Sequence, residues 1–482
     1  MNKYYITNAI PYVNAKPHIG HTLEFIYSDV VRRYHKIQGE NALLLCGADE
    51  NALKNVQAAE QAGMSVQELV DKNAALFEEL AKKLNVQFDV FQKGSDTDHH
   101  YKASQKLWEL CEKAGDIYKK KYKGLYCVGC EEFKTPNELN EKGECPEHPG
   151  KPLEEVEEEN YFFKLSKYQN QLLKILESDE YEIVPGFRKN EIVAFLKSGL
   201  QDFSISRSNT RAKNWGVPVP NDPTQRIYVW FDALNIYQSG IGFGWDEENY
   251  NKWWPADLHV VGKGIIRFHA VYWPAILLSA GLKLPKQLFV HEYFTVNGQK
   301  MSKTLGNVYD PIPLIEKHGP DPLRYFCLAK ISPFQDGDFS EEKFYEAYNA
   351  DLANGLGNLV SRVAKLCETA DYSHMVAGDK TATHIIDIAE YSEAMEAFRF
   401  NDAIGCVWKK IGELDKFINR EKPWELVKKG DSRAKGVLAH AVDQIQEIAI
   451  LLEPFLPDTA KKIEEQFRGP KIISQQPLFP RV

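Results

Sequence analysis

The chain has 482 residues, more than one hydrophobic core usually organises, so two or three domains are expected. Hydrophobic residues make up 43%, aromatics 12% and charged residues 26%, a globular profile that excludes a chain dominated by disorder. A net charge of −9 argues against general coating of nucleic acid, no apolar run reaches membrane-spanning length, and the N-terminus lacks a signal-peptide layout. A cytoplasmic protein without membrane contact is expected, any nucleic-acid contact being local.

Tyr5, Ile6 and Ile10 alternate with polar neighbours and predict a first strand. In "HIGHTLEFIYSDVVRRYHKIQG", Ile19, Leu23, Ile26, Val30 and Tyr34 recur at helical spacing until Gly39. "ALLLCG" from Ala42 reads as a second strand, completing the βαβ unit of a parallel sheet. Strands are expected again at "RIYVWFDA" from Arg226, "LHVVGKG" from Leu258 and "QLFVHEYFTVNG" from Gln287, with "IIRFHAVYWPAILLSAG" helical after the second. The pattern is α/β: a Rossmann-type sheet with halves at 1–115 and 221–344, split by an insertion over 116–220. The acidic run "LEEVEEEN" in the insertion reads as a solvated face. From 345 to 482, "NADLANGLGNLVSRVAKLCE", "YSEAMEAFRFNDAIGCVWKKIGELDKFINR" and "RAKGVLAHAVDQIQEIAILLEPFLP" carry apolar residues three and four apart, which predicts a helical bundle.

Five of the eight cysteines, Cys46, Cys111, Cys327, Cys367 and Cys406, are scattered singly among apolar residues and read as reduced and buried. The other three cluster in the insertion, where "CVGCEEFKTPNELNEKGECPEHPG" gives Cys127-x2-Cys130 and then Cys145-x2-His148. Three thiolates and one imidazole make a complete tetrahedral zinc set with no open position, hence one structural zinc. A redox dithiol is the alternative, but it would not require the Cys-x2-His half.

His18 and His21 flank Ile19 and Gly20 at the predicted start of the first helix. Unpaired N–H groups there favour an anion, Gly20 permits close approach, and two imidazoles can donate to phosphate oxygens as charge builds during attack at an α-phosphate. For this pair alone, a helix cap beside a surface histidine is the plainer alternative. "NGQKMSKTLGN" follows a strand and offers Lys300 and Lys303 on a Gly-containing loop, suited to closing over a triphosphate and neutralising departing pyrophosphate. Alone, it would read as a surface loop.

Together, HIGH at His18–His21 and KMSKT at Lys300–Thr304 resemble the two signatures of class I aminoacyl-tRNA synthetases, with Thr304 where the family motif has Ser. "AIPYVNAKPHIGH", "FSISRSNTRAKNWGVPVP", "YVWFDALNIY", "HVVGKGIIRFHAVYWPAILLSAGLKLP" and "NGQKMSKTLGNVYDP" are similar to the methionyl family within that class, from Met1 to the last helices. The resemblance implies that methionine and ATP, with Mg2+, form methionyl-adenylate and pyrophosphate, and that the aminoacyl group passes to the 3′ end of tRNA(Met). His18, His21, Lys300 and Lys303 would be catalytic, and with Gly20 and Lys263 would bind ATP. Ala9, Ile10, Tyr12, Trp230, Ala233, Tyr237, Ile265 and His269 would line the methionine pocket, Asp49 would hold the α-amino group, and Arg207 would lie nearby. The chemistry agrees, because an unbranched thioether has no strong hydrogen-bonding handle and is selected by shape and sulfur–aromatic contact. Asn358 and Arg362, four apart on one helix face, and Trp424 would read the CAU anticodon, a core role being the alternative for Trp424.

Two departures from the family pattern stand out. Lys263–Gly264 replaces the usual Gly-Lys-Asp, removing a carboxylate that could meet the adenylate ribose, and Asp49-Glu50-Asn51-Ala52 replaces Asp-Glu-His-Gly. The ending "PLFPRV" follows the bundle without the oligonucleotide-binding tail of dimeric members, so a monomer is expected. A cysteinyl-type enzyme with a substrate-binding zinc is opposed by the closed Cys3His set. A non-catalytic tRNA-binding paralogue is opposed by the retained histidines and lysines.

Overall fold

The computed structural model describes residues 2–129, 132–134, 138–301, 307–374 and 388–482, without the side chains of Glu132 and Lys300. Its central sheet has six parallel strands: β1 (Lys3–Asn8), β2 (Asn41–Ala48), β3 (Val90–Lys93), β4 (Glu182–Val184), β5 (Leu258–Gly262) and β6 (Gln287–His291). They lie in the spatial order β3-β2-β1-β5-β6-β4. Every residue of β5 is buried, as expected of a parallel strand covered on both faces. Helix α1 (Ile19–Ile37) joins β1 to β2, giving the expected βαβ unit. Strand order reverses between β1 and β5, and the crevice beyond their carboxyl ends is where such sheets bind ligands. Edge strand β4 comes from inside the 116–220 stretch and pairs with β6.

The acidic run becomes a strand, Glu154–Phe163, antiparallel to lysine-rich Ile117–Cys127. Lys121 faces Glu159, Lys123 faces Glu157, and Lys123 Nζ lies 2.9 Å from Glu155. Opposite charges across a ladder explain why both runs are tolerated.

Several elements differ from the sequence reading. "RIYVWFDA" is a strand only to Ile227; a short helix, Val229–Ala233, begins after Tyr228. Its apolar run is buried all round, so it carries no period that separates strand from helix. "QLFVHEYFTVNG" splits: β6 ends at His291, and Phe294–Val296 pairs with Gly337–Phe339 outside the main sheet. "IIRFHAVYWPAILLSAG" passes through a π turn at Phe268–Tyr272 before Trp273–Ser279 becomes α-helical. In the bundle, Tyr348–Gly357 is likewise π-helical and leads into the α-helix Asn358–Thr369.

The C-terminal helices, among them Phe400–Glu421 and Arg433–Leu452, pack on α1 through one continuous apolar core. Tyr27 of α1 meets Phe400 with ring centroids 5.1 Å apart. Beside this contact Asp29 and Arg324, both 0% exposed, pair at 2.9 Å. Arg324 also donates to the carbonyls of Phe455 (2.7 Å) and Pro454 (2.9 Å), which satisfies a buried cation that would otherwise be costly. Among the described residues, no helix is long and apolar enough to cross a membrane.

Candidate active site

The turn between β1 and α1 is built by its own histidines. His18 is the N-cap: Gly20 N–H donates to its Nδ1 (3.1 Å), and His18 N–H donates to Nδ1 of His21 (3.1 Å). This is a capping box made of imidazoles: His18 caps the helix, and His21, half-buried rather than at the surface, completes the box. It also sets the tautomer: each neutral ring whose Nδ1 accepts carries its proton on Nε2, where it can donate to an anion. The rings lie 4.0 Å apart. A Cβ on Gly20 would stand 2.9 Å from His18 Cε1 and 3.1 Å from the Met301 methyl, so glycine is required for this packing. Met301 and Tyr309, whose carbonyl accepts from Ile19 N–H (3.1 Å), bring both flanks of the lysine loop against the turn. Lys303 and the Lys300 side chain lie outside the described residues.

On the β5 side an aromatic cluster forms. Trp230, at the start of its short helix, stacks on Phe268 at 3.8 Å and meets Tyr12 edge-on at 6.1 Å. Phe268 and His269 lie in the π turn, and His269 also approaches Trp230, with ring centroids 6.5 Å apart. His269 donates from Nδ1 to the Ile265 carbonyl (2.9 Å), so its Nε2 accepts from the Tyr237 hydroxyl (2.8 Å). Burial pushes the His269 pKa down to about 4, against the opposing Ile265 hydrogen bond, which keeps the ring neutral at pH 7. Ala9 and Ala233 are buried nearby in sequence to these walls, Ile10 and Ile265 are partly buried against the same core, and Asp49 bridges to Tyr12 through the backbone. Phe268 escapes the sequence reading because its stacking partner, Trp230, comes from another element.

Other sequence candidates have structural partners. The Arg207 guanidinium lies over Tyr228 (4.4 Å), with Tyr126 and Phe133 also around it, and donates to Ser206 O (2.8 Å). Lys263 is clamped by Asp336 and Glu292, each at 2.7 Å. Burial would lower its pKa, but those two partners outweigh it and raise the value. Asn51, the residue at the second departure, donates to Gly94 O and to Asp232, both at 2.7 Å. Buried Asp232 also meets His100 (2.9 Å) and Ser104 (2.7 Å), so Asn51 completes a polar network around it.

In the 116–220 stretch, Cys127, Cys145 and His148 converge, their ligand atoms lying within 4.8 Å of one another. His148 Nδ1 lies 3.7 Å from Cys127 Sγ and 3.9 Å from Cys145 Sγ. A Cβ on Gly129 would fall 2.5 Å from the His148 ring, so that glycine lets the two knuckles close. Cys130 lies outside the described residues. In the bundle the Arg362 guanidinium lies 5.0 Å from the Trp424 ring centroid, and Asp415 (3.0 Å) and Asn419 (2.6 Å) hold it there. Trp424 is 39% exposed, which is not the burial of a core residue. Asn358 is exposed one turn before Arg362 on the same helix.

A family model described as "tRNA synthetases class I (M)" matches residues 4–151 and 148–364, and "Anticodon-binding domain of tRNA ligase" matches 386–482. The chain is 41% identical over 473 residues to a methionine–tRNA ligase of Thermotoga maritima, covering 96% of this chain and 74% of its relative. Against that of Rhizobium meliloti the identity is 42% over 471 residues, with 95% and 90% covered. The structure superposes on Mycobacterium tuberculosis methionyl-tRNA synthetase in complex with methionyl-adenylate with a TM-score of 0.92, at 36% identity over 100% of both chains. Against the apo form of that enzyme the TM-score is 0.82, at 32% identity over 100% and 98%. Matches of this length and identity show that the chain belongs to the methionine–tRNA ligase family of class I tRNA synthetases.

Proposed function

We propose that the chain is a methionine–tRNA ligase that carries out both half-reactions. The observation behind this reading is that strand order reverses between β1 and β5, with an anion-favouring helix start following β1 and the aromatic cluster around the neutral His269 following β5. Methionine sits in the pocket against Trp230, Tyr12 and the neutral His269–Tyr237 pair, its α-amino group at Asp49. Its carboxylate oxygen attacks the α-phosphorus of ATP, the bond to the bridging oxygen breaks, and pyrophosphate leaves. His18 and His21 donate from Nε2 to phosphate oxygens as charge grows, and Lys300 and Lys303 neutralise the leaving group. Positioning and charge stabilisation do the work, with no covalent enzyme intermediate. A ribose hydroxyl at the tRNA 3′ end then attacks the acyl carbonyl and AMP departs. Mg2+ accompanies ATP.

Cys127, Cys130, Cys145 and His148 would hold zinc. A tetrahedral ion with Zn–S near 2.3 Å and Zn–N near 2.0 Å separates such ligand atoms by roughly 3.6 Å, and the 3.7 and 3.9 Å separations fit. With four protein ligands the metal supplies structure. Trp424 would stack an anticodon base while Arg362 and Asn358 read base edges.

Exchange of pyrophosphate into ATP, screened over the twenty amino acids, tests the assignment. Methionine alone should support strong exchange, with selenomethionine and norleucine detectable, since an apolar pocket separates one methylene by only about 1–3 kcal/mol. Cysteine or leucine outrunning methionine would overturn the substrate.

A further inference from the structure

We propose that Tyr293 gives the ribose of ATP the polar contact that position 264 cannot supply; the inference rests on the ligase reading. β5 ends at Gly262 and β6 at His291, so Lys263-Gly264 and Glu292-Tyr293 emerge side by side at the carboxyl edge, next to the switch. Phosphates held at the start of α1 lie beyond β1. The neighbouring strand end, about 4.8 Å away, then meets the next group along the nucleotide, which is the ribose.

Two glycines make room for the tyrosine ring there. A Cβ on Gly262 would stand 3.1 Å from Tyr293 Cε1, and a Cβ on Gly264 would fall 2.0 Å from the Tyr293 hydroxyl. The phenol oxygen therefore occupies the space where a side chain at 264 would begin, and Gly264 N–H donates to it (2.7 Å). The group is held from several sides. Tyr293 N–H donates to Asp336 (2.9 Å), and Lys263 Nζ lies 5.2 Å from the ring centroid. The nearby carboxylates are engaged: Glu292 by Lys263 (2.7 Å) and Arg188 Nε (3.0 Å), Asp336 by Lys263 (2.7 Å). A phenol that accepts one N–H still has a proton to donate and a lone pair to offer, which matches one hydroxyl of a vicinal diol. The residue is 36% exposed, and burial of the remainder raises its pKa, so the hydroxyl keeps its proton.

The test measures methionine-dependent pyrophosphate exchange with ATP, 2′-deoxy-ATP and 3′-deoxy-ATP in the wild type and in Tyr293→Phe. The wild type should disfavour at least one deoxy analogue. In Tyr293→Phe the KM for ATP should rise roughly three- to tenfold, as for one neutral hydrogen bond, and the preference for ATP over that analogue should collapse toward one. Methionine affinity, read by tryptophan fluorescence without ATP, should not move. Gly264→Asp should be damaging by itself and should restore the preference when combined with Tyr293→Ala. A wild type indifferent to the deoxy analogues, a Tyr293→Phe enzyme that keeps full discrimination, or one whose methionine affinity falls in parallel overturns the inference and leaves the ligase reading intact. No methionine-dependent exchange with ATP itself in the wild type removes the ligase reading, and this inference with it.

Discussion

The Met301 methyl rests against Gly20, 3.1 Å from where that residue's Cβ would be, so Met301 and the histidine turn share a packing contact. On the other flank Ile19 N–H is bonded to Tyr309 O. The turn is thus held from both sides, by Met301 and by Tyr309.

Gly20→Ala puts a methyl 2.9 Å from the His18 ring and forces it off the cap. Met301 has a flexible end and can yield; the ring cannot do so without losing its bond to Gly20 N–H. We expect exchange to fall about tenfold or more, as for loss of one preorganised donor, with methionine binding unchanged. Unaltered exchange would show that the ring does not need its capped position.

His21→Ala and Lys303→Ala remove groups proposed to act on charge that exists mainly in the transition state. Both should lower the rate of adenylate formation in single-turnover measurements while leaving methionine affinity within a small factor. His21→Ala should also cost about 1 kcal/mol of stability through the lost cap, visible as a lower denaturation midpoint. Weak methionine binding at a normal rate would reverse the assigned roles.

His269 is neutral because it is buried, and that fixes the sign of a pH effect. Its folded pKa of about 4 lies below the ordinary 6.5, so the unfolded chain takes up this proton first. The stability tied to the neutral ring is complete above 6.5, declines as pH falls from 6.5 toward 4, and levels off below. The shift corresponds to about 3 kcal/mol in all. Histidine NMR signals followed from pH 8 to 5 should leave His269 untitrated; a midpoint near 6.5 would contradict the buried, Tyr237-bonded ring.

Elemental analysis should find one zinc per chain. Cys145→Ser or His148→Ala should release it and loosen the 116–220 stretch, with a secondary loss of activity. That stretch touches the catalytic region where Lys54 Nζ donates to Gly129 O (3.3 Å) and Arg267 meets Glu138 (3.6 Å). If Cys130 completes the set with Cys127, Cys145 and His148, added methionine should leave the metal's absorption-edge spectrum unchanged; a ligand exchange on adding methionine would mean that the site takes substrate.

Trp424→Ala should weaken tRNA aminoacylation by roughly 1–3 kcal/mol, the worth of one base stack, and leave tRNA-independent exchange near normal. Arg362 would also lose the ring face beneath it. A matching fall in exchange would mean that the substitution damages the fold.

Local features were legible from the chain because local spacing creates them. His18-x2-His21 and Ser-free capping at α1 need only one helical turn, and Cys145-x2-His148 needs only a knuckle. The β1–α1–β2 unit announces itself by a period that switches from two to 3.6. What tertiary structure decided depends on partners far apart in the chain. Val229–Ala233 is helical although its apolar run also suits a strand, and its Asp232 is satisfied by Asn51, His100 and Ser104 from other elements. Phe268 stacks on Trp230, which comes from a separate element. Arg207 and Lys263 read alike as cations, yet one lies among aromatic rings and the other between two carboxylates. The vacancy at Gly264 is visible in the sequence, but the tyrosine that fills it arrives from the next strand, and a one-dimensional pattern carries no record of which strand ends lie side by side.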